Sequence, residues 1–168
     1  VKLWCDTSSS YECKCLTDDY GGEDKLLKGP GNLLPPGYTI SKILWLKNHQ
    51  PELYEKLAHI LLPHDYLNWW LTGEYAMEYG DASGTGLLNI AKRKWDESII
   101  KVLDPDRDLS ACLPGLIEAD KPCGILQADR AAELGLPAGI PVSSGGGDNM
   151  MGAIGTGAVE EGIITASL

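Results

Sequence analysis

Pro141-Val-Ser-Ser-Gly-Gly-Gly-Asp-Asn-Met-Met-Gly152 is the stretch on which the reading of this chain turns. A short β-type run, Ile140 to Ser143, breaks into three glycines, Gly145, Gly146 and Gly147. The pair Asp148-Asn149 follows, then small residues that suit a tightly packed helix. Glycine admits positive φ and the close approach of another group. The pattern therefore predicts strand, glycine turn and helix start, with Asp148 at the helix N-terminus. Unpaired N–H groups and the helix dipole stabilise a carboxylate there. In open α/β sheets, ligands bind beyond strand ends of this kind. Taken alone, the stretch fits equally well a tight turn with Asp148 as a simple cap.

Around this centre, helical patterns alternate with short apolar runs, which argues an α/β fold. Val1 to Thr7 reads as a strand, in which Trp4 and Asp6 share one face. An aromatic wall beside an acid suits a sugar or polyol, although a buried Trp4 and a surface Asp6 are the commoner outcome for such a pair. Ser8-Ser9-Ser10 offers a cap to a following helix. Tyr20 to Tyr38, rich in Gly and Pro, reads as loop. Thr39 caps a helix with Ile40, Ile43, Leu44 and Lys47 on one stripe, ending before Pro51. Pro51 opens the next helix, with Leu53, Leu57 and Ile60 as its apolar face.

Ile60-Leu61-Leu62 reads as a buried strand. The helix from His64 carries Leu67, Trp70 and Leu71 on its apolar face and stops at Gly73. Trp69 and Trp70 read as core, and His64 as a surface or capping residue rather than a metal ligand. Asp81-Ala-Ser-Gly-Thr85 permits close packing of backbone before a strand at Leu87 to Ile90. Asp96 caps a helix from Glu97 to Leu103. Gly124-Ile-Leu is a strand, Ala128 to Leu134 a helix stopped by Gly135, and Gly162 to Leu168 a final strand.

Composition removes several function classes. The 168 residues carry a net charge of −10, whereas binding nucleic-acid phosphates needs clustered Lys and Arg. No apolar run approaches the roughly 20 residues that cross a bilayer. The five cysteines are irregularly spaced, and Cys13-Lys14-Cys15 fits no common zinc spacing. They are expected as free thiols in a reducing cytoplasm. Neither glycine cluster completes Gly-x-Gly-x-x-Gly, because Met150 and Glu160 stand where the last Gly or Ala belongs. Walker A, Gly-x-Ser-x-Gly and His-Glu-x-x-His patterns are absent. What remains is a carboxylate at a strand end beside an amide. That pair suits deprotonation of a hydroxyl in phosphoryl transfer, where the base need only reach and orient the attacking oxygen. Asn149 can both donate to and accept from a polyhydroxylated substrate.

Six segments, in order, resemble the FGGY family of carbohydrate kinases, nearest to its xylulokinase branch. They are Lys2-Leu-Trp-Cys-Asp-Thr7, Gly31-Asn-Leu-Leu-Pro-Pro-Gly-Tyr-Thr39, Leu61-Leu-Pro-His-Asp-Tyr-Leu67, Leu71-Thr-Gly73, Asp81-Ala-Ser-Gly-Thr85 and Ser144-Gly-Gly-Gly-Asp-Asn149. The resemblance implies a ribonuclease H-like, actin-like fold. It also implies ATP and Mg2+ bound mainly outside this stretch, and no metal ligand within it. Asp148 matches the family's catalytic base, which for a xylulokinase acts on the 5-hydroxyl of D-xylulose. Asn149, Trp4 and Asp6 match positions lining the sugar pocket. The Gly-Gly-Gly-Asp-Asn run favours xylulose over L-ribulose, glycerol or gluconate, since relatives for those substrates tend to carry Gly-Asp-Gln there.

The family's upstream phosphate-binding segment and Met-His pair are expected before Val1. Its Gly-Thr-Ser-Gly segment and nucleotide domain are expected after Leu168. The chain is therefore expected to be part of an N-terminal sugar-binding domain, unstable and inactive in isolation. A non-catalytic truncated domain is the competing expectation. A sugar and ATP are the expected partners, with neither nucleic acid nor membrane; the resemblance leaves room for a homodimer.

Overall fold

The computed structural model describes residues 2–166; Val1, Ser167 and Leu168 lie outside the described residues. The elements in the first half are α1 (Ser10–Tyr20), α2 (Glu23–Lys28), α3 (Thr39–His49), α4 (Pro51–Tyr54), α5 (Pro63–Thr72), β1 (Ala76–Glu78) and α6 (Tyr79–Ser83). The second half holds β2 (Leu88–Asn89), β3 (Lys94–Trp95), α7 (Glu97–Leu103), β4 (Gly115–Ile117), β5 (Pro122–Ile125), α8 (Ala128–Leu134), β6 (Pro141–Ser143) and α9 (Asp148–Gly155). Two compact units share them: Val1–Leu61 with Ala82–Leu116, and Leu62–Asp81 with Ile117–Leu168.

The first unit is mainly helical. α1 packs on α2, α3 and α7, and Leu16, Leu26, Ile40 and Ile99, from those four helices, are fully buried in one core. Removing a side chain of that size from water contributes about 1.5–3 kcal/mol. β2 and β3 form an antiparallel ribbon pairing Leu88 with Trp95 and Asn89 with Lys94. Its exit leads into α7, capped by Asp96, whose carboxylate accepts the N–H groups of Ser98 at 2.9 Å and Ile99 at 3.4 Å. That cap and the helix Glu97–Leu103 stand where the sequence predicts them. So does the helix Thr39–His49, except that Thr39 is its first residue and Tyr38 holds the N-cap position without a side-chain hydrogen bond.

Several expectations in this unit are corrected. Residues 2–7 form no strand: the amide of Asp6 donates to the Leu3 carbonyl at 3.0 Å, closing a turn. Lys42 holds that turn by donating to the carbonyls of Leu3, Pro36 and Gly37 at 2.7, 3.2 and 3.3 Å. The region read as loop contains α2, and the run at 60–62 is extended without strand pairing. On α4 the buried side chain is Tyr54, while Leu53 is exposed. Ser9 does occupy the N-cap position of α1, but its hydroxyl lies 3.0 Å from that of Ser41 instead of capping.

In the second unit, α5 packs against β1, β5 and β6. β5 and β6 are antiparallel, pairing Pro122 with Ser143 and Ile125 with Pro141 across a bulge between Pro122 and Gly124. α5, β5, α8 and β6 fall close to their expected places, and Gly73 and Gly135 end the two helices as read. The face of α5 is not as expected. Its buried residues are Asp65, Asn68 and Thr72, all polar, whereas Leu67 is exposed. Trp69 and Trp70 are only half-buried; Trp69 stacks on Tyr75, and the Arg130 guanidinium lies 4.5 Å from the Trp70 ring centre. Residues 163–166 form no strand, and Ser167 and Leu168 of that expected element lie outside the described residues.

Candidate active site

β6 delivers the chain to Ser144, which is buried. Its hydroxyl donates to the Ala119 carbonyl at 3.1 Å. Its own carbonyl accepts twice, from Nε2 of His64 at 2.8 Å and from the Asn68 amide at 3.0 Å. Gly145 then turns the backbone at φ +78°. A Cβ at this position would lie 2.9 Å from Nε2 of His64. Gly147 occupies the N-cap position of α9, where a Cβ would lie 3.3 Å from a carboxylate oxygen of Asp81. Asp148 is the first residue of that helix, and both it and Asn149 are exposed. One Asp148 carboxylate oxygen accepts the backbone N–H of Asn149 at 2.8 Å. Strand, glycine turn and helix start are thus arranged as the sequence predicts.

Behind the turn stands a charged cluster that sequence reasoning did not assign. Nδ1 of His64 makes a short contact with the Asp81 carboxylate. Hydrogen bonding to Asp81 raises the His64 pKa to about 9 against the opposing effect of burial, aided by the Ser144 carbonyl. Asp65, fully buried, accepts the backbone N–H of Leu62 at 3.0 Å through Oδ2. Its Oδ1 has no hydrogen-bond partner among the described residues and lies 3.5 Å from Nε2 of His64. Burial pushes the Asp65 carboxyl up to about 6 despite the nearby imidazole. The sequence did hold a signal for this cluster: Asp65, Asn68 and Thr72 recur at helical spacing, a polar stripe on a helix that packs against strands.

One candidate atom from each of His64, Asp65 and Asp81 lies within 4.8 Å of the others, close enough to invite a cation. The chemistry of the donors does not fit Mg2+, which prefers an octahedron of oxygens. The two carboxylates here already face an imidazole bonded at both nitrogens. No residue of this cluster is therefore assigned to the metal that a nucleotide brings.

Trp4 and Asp6 belong to the first unit, Asp148 and Asn149 to the second. In the turn at 3–6 the same-face argument for Trp4 and Asp6 no longer applies. Trp4 is 82% exposed, so it is not the buried side chain of the alternative reading either. Asp6 accepts the Ser8 N–H at 2.8 Å, and the hydroxyl and amide of Ser8, with Lys2, lower its pKa to about 2. All five cysteines are free, and among the described residues no helix is long and apolar enough to cross a membrane.

Comparison with known proteins agrees with this architecture. Residues 1–155 match the N-terminal domain of the FGGY family of carbohydrate kinases. The xylulose kinase of Haemophilus influenzae is 42% identical over 168 residues, covering 100% of this chain and 34% of that protein. The xylulose kinase of Escherichia coli is 38% identical, covering 94% of this chain and 31% of that protein. The chain thus spans about a third of the length of the curated relatives it matches. Among solved structures, a "xyloylose kinase" from Brucella ovis superposes with a TM-score of 0.84 at 34% identity, over 95% of this chain and 32% of that one. Xylulose kinase from Rhodospirillum rubrum shares the fold, with a TM-score of 0.86 at 24% identity over 94% of this chain and 31% of that one. On the family match over residues 1–155 and on these identities, the chain belongs to the FGGY family of carbohydrate kinases.

Proposed function

We propose that the protein carrying this chain transfers the γ-phosphoryl group of ATP to D-xylulose, giving D-xylulose 5-phosphate, with Asp148 as general base. The observation that carries this reading is the strand–turn–helix junction that presents an exposed carboxylate at a helix start. Relatives named xylulose kinase, 42% and 38% identical, support the choice of sugar. Structures named gluconate kinase and glycerol kinase share the fold at 23% identity, so the fold alone does not choose among substrates.

In this reading Asp148 accepts the proton of the 5-hydroxyl as that oxygen attacks phosphorus. The transition state is loose, so reach and direction matter more than base strength. Asn149, next along the helix, offers donor and acceptor to neighbouring hydroxyls. Exposed Trp4 and the carboxylate of Asp6 supply an apolar face and an acceptor for the sugar. ATP and Mg2+ are held mainly by parts of the protein beyond these residues, and the 168-residue chain alone is inactive. ADP release by the full-length protein with D-xylulose, L-ribulose, glycerol and gluconate tests the substrate. Turnover of another sugar in preference to D-xylulose overturns the specificity, and turnover by the isolated chain overturns its inactivity.

A further inference from the structure

Glycines 145–147 have no side chains with which to hold themselves, yet they set the direction of Asp148. The Ser143 hydroxyl on β6 accepts the Gly145 N–H at 3.2 Å, and the remaining support comes from α5 and α6. The His64 ring is bonded on both edges, Nε2 to the Ser144 carbonyl at 2.8 Å and Nδ1 to the Asp81 carboxylate. A carbonyl can only accept, so Nε2 carries a proton. A carboxylate on the other edge keeps a proton on Nδ1 as well, consistent with a pKa near 9. With both nitrogens donating, neither has a lone pair for a metal, and the ring itself is the cation of the cluster.

The space around it leaves no slack. A Cβ on Gly145 would meet the ring at 2.9 Å, and one on Gly147 would stand 3.3 Å from Asp81. Asp81 is itself fixed, because Glu78 on β1 accepts its backbone N–H and that of Gly80, the latter at 2.7 Å. The groups facing the ring are therefore Asp65 from its own helix, Asp81 from α6 and the Ser144 carbonyl from the exit of β6. Glu78 faces the two aspartates from one step behind.

We propose that His64, as an imidazolium bridging Asp81 and the Ser144 carbonyl, is a positioning residue that fixes the glycine turn and thereby aims Asp148. The proposal rests on the reading of Asp148 as the base. The ring touches no reacting atom; it acts through the backbone it holds. Loss of its second proton releases the Asp81 edge and lets the turn relax, so the correct aim of Asp148 is lost at alkaline pH.

The test uses the full-length protein and the sugar it turns over best. His64→Gln keeps a single amide donor group and removes the charge. It is expected to lower kcat by about tenfold or more, since small misplacements of a reacting group cost up to about 100-fold. The KM for ATP should change less than about twofold. His64→Lys, which keeps a charge that titrates higher, is expected to recover most of kcat and move the alkaline limb of the kcat–pH profile upward. Hydrogen exchange across residues 143–149 of the wild type, corrected for intrinsic rates, is expected to accelerate as the pH passes about 9.

His64→Gln with wild-type kcat and pH profile, alongside an inactive Asp148→Asn, overturns the clamp and leaves the base in place. Should His64→Gln fail to fold, the wild-type exchange profile decides, and uniform protection across that pH range overturns the clamp. An active Asp148→Asn overturns the base instead, and the same exchange profile then judges the clamp independently.

Discussion

Replacing Gly145 by alanine asks the turn to do two things it cannot do at once. The residue sits at φ +78°, and the left-handed region costs an L-residue about 1–2 kcal/mol. The new Cβ would also lie 2.9 Å from Nε2 and 3.0 Å from Cδ2 of His64, whose ring is held on both edges. To yield, the ring must give up a charged hydrogen bond, worth about 1.5–3 kcal/mol. The sum is about 2.5–5 kcal/mol, and the turn can avoid it only by rearranging. Gly135 provides the control: φ is +68°, and nothing lies within 4 Å of an added Cβ. There the backbone cost alone, about 1–2 kcal/mol, is expected. Urea denaturation and steady-state kinetics on the two variants of the full-length protein separate the terms. Gly135→Ala should lose stability modestly and keep kcat. Gly145→Ala should lose kcat by about 10-fold or more, the equivalent of at least 1.4 kcal/mol of misplacement. Equal stability losses and equal kcat in the two variants would refute the argument that the His64 ring buttresses the turn.

The charged cluster also predicts how stability depends on pH. The folded-state pKa of His64, about 9, lies above its ordinary 6.5, so its contribution is complete below 6.5 and is lost as the pH rises through about 9. Thermal melts of His64→Gln should lack that alkaline decline. Asp65 is also raised, from 3.8 to about 6, so stability attributable to it falls as the pH rises across that interval, and Asp65→Asn should flatten this part of the curve. In the first unit, Asp96→Ala removes the cap of α7 and the partner of the Asn89 amide at 2.7 Å. A loss of about 1–3 kcal/mol is expected in urea denaturation, combining a lost cap with a buried amide left unpaired.

Much of this fold was readable because its signals are local. Asp96 before an apolar run, Gly135 after Leu134, and Gly73 after Thr72 each mark a boundary by chemistry within one helical turn. The junction at 143–149 is of the same kind. Sequence reading failed where the deciding partner lies far along the chain. The run at 2–7 has an apolar start that suits a strand, but its Leu3 carbonyl accepts from the Asp6 N–H, closing a turn, and from Lys42, 39 residues further on. Leu67, Trp70 and Leu71 form a plausible apolar stripe, yet α5 buries the other side because Ser144 offers a carbonyl to His64, 80 residues away. His64 looked isolated for the same reason. Its two anionic neighbours come from adjacent Asp65 and from Asp81 on another helix, and only folding shows that they converge on one ring.

The central claim is that Asp148 takes the proton from the sugar. Its most direct test is the rate of ADP release with D-xylulose by the full-length protein, wild type against Asp148→Asn. The substitution keeps the size and the helix-start position of the side chain while removing its capacity as a base. The account predicts a loss of kcat of about 100-fold or more, the scale of a positioned general base, with the melting temperature and the KM for ATP little changed. Undiminished turnover in Asp148→Asn would contradict it, and the junction at 143–149 would then be a structural turn alone.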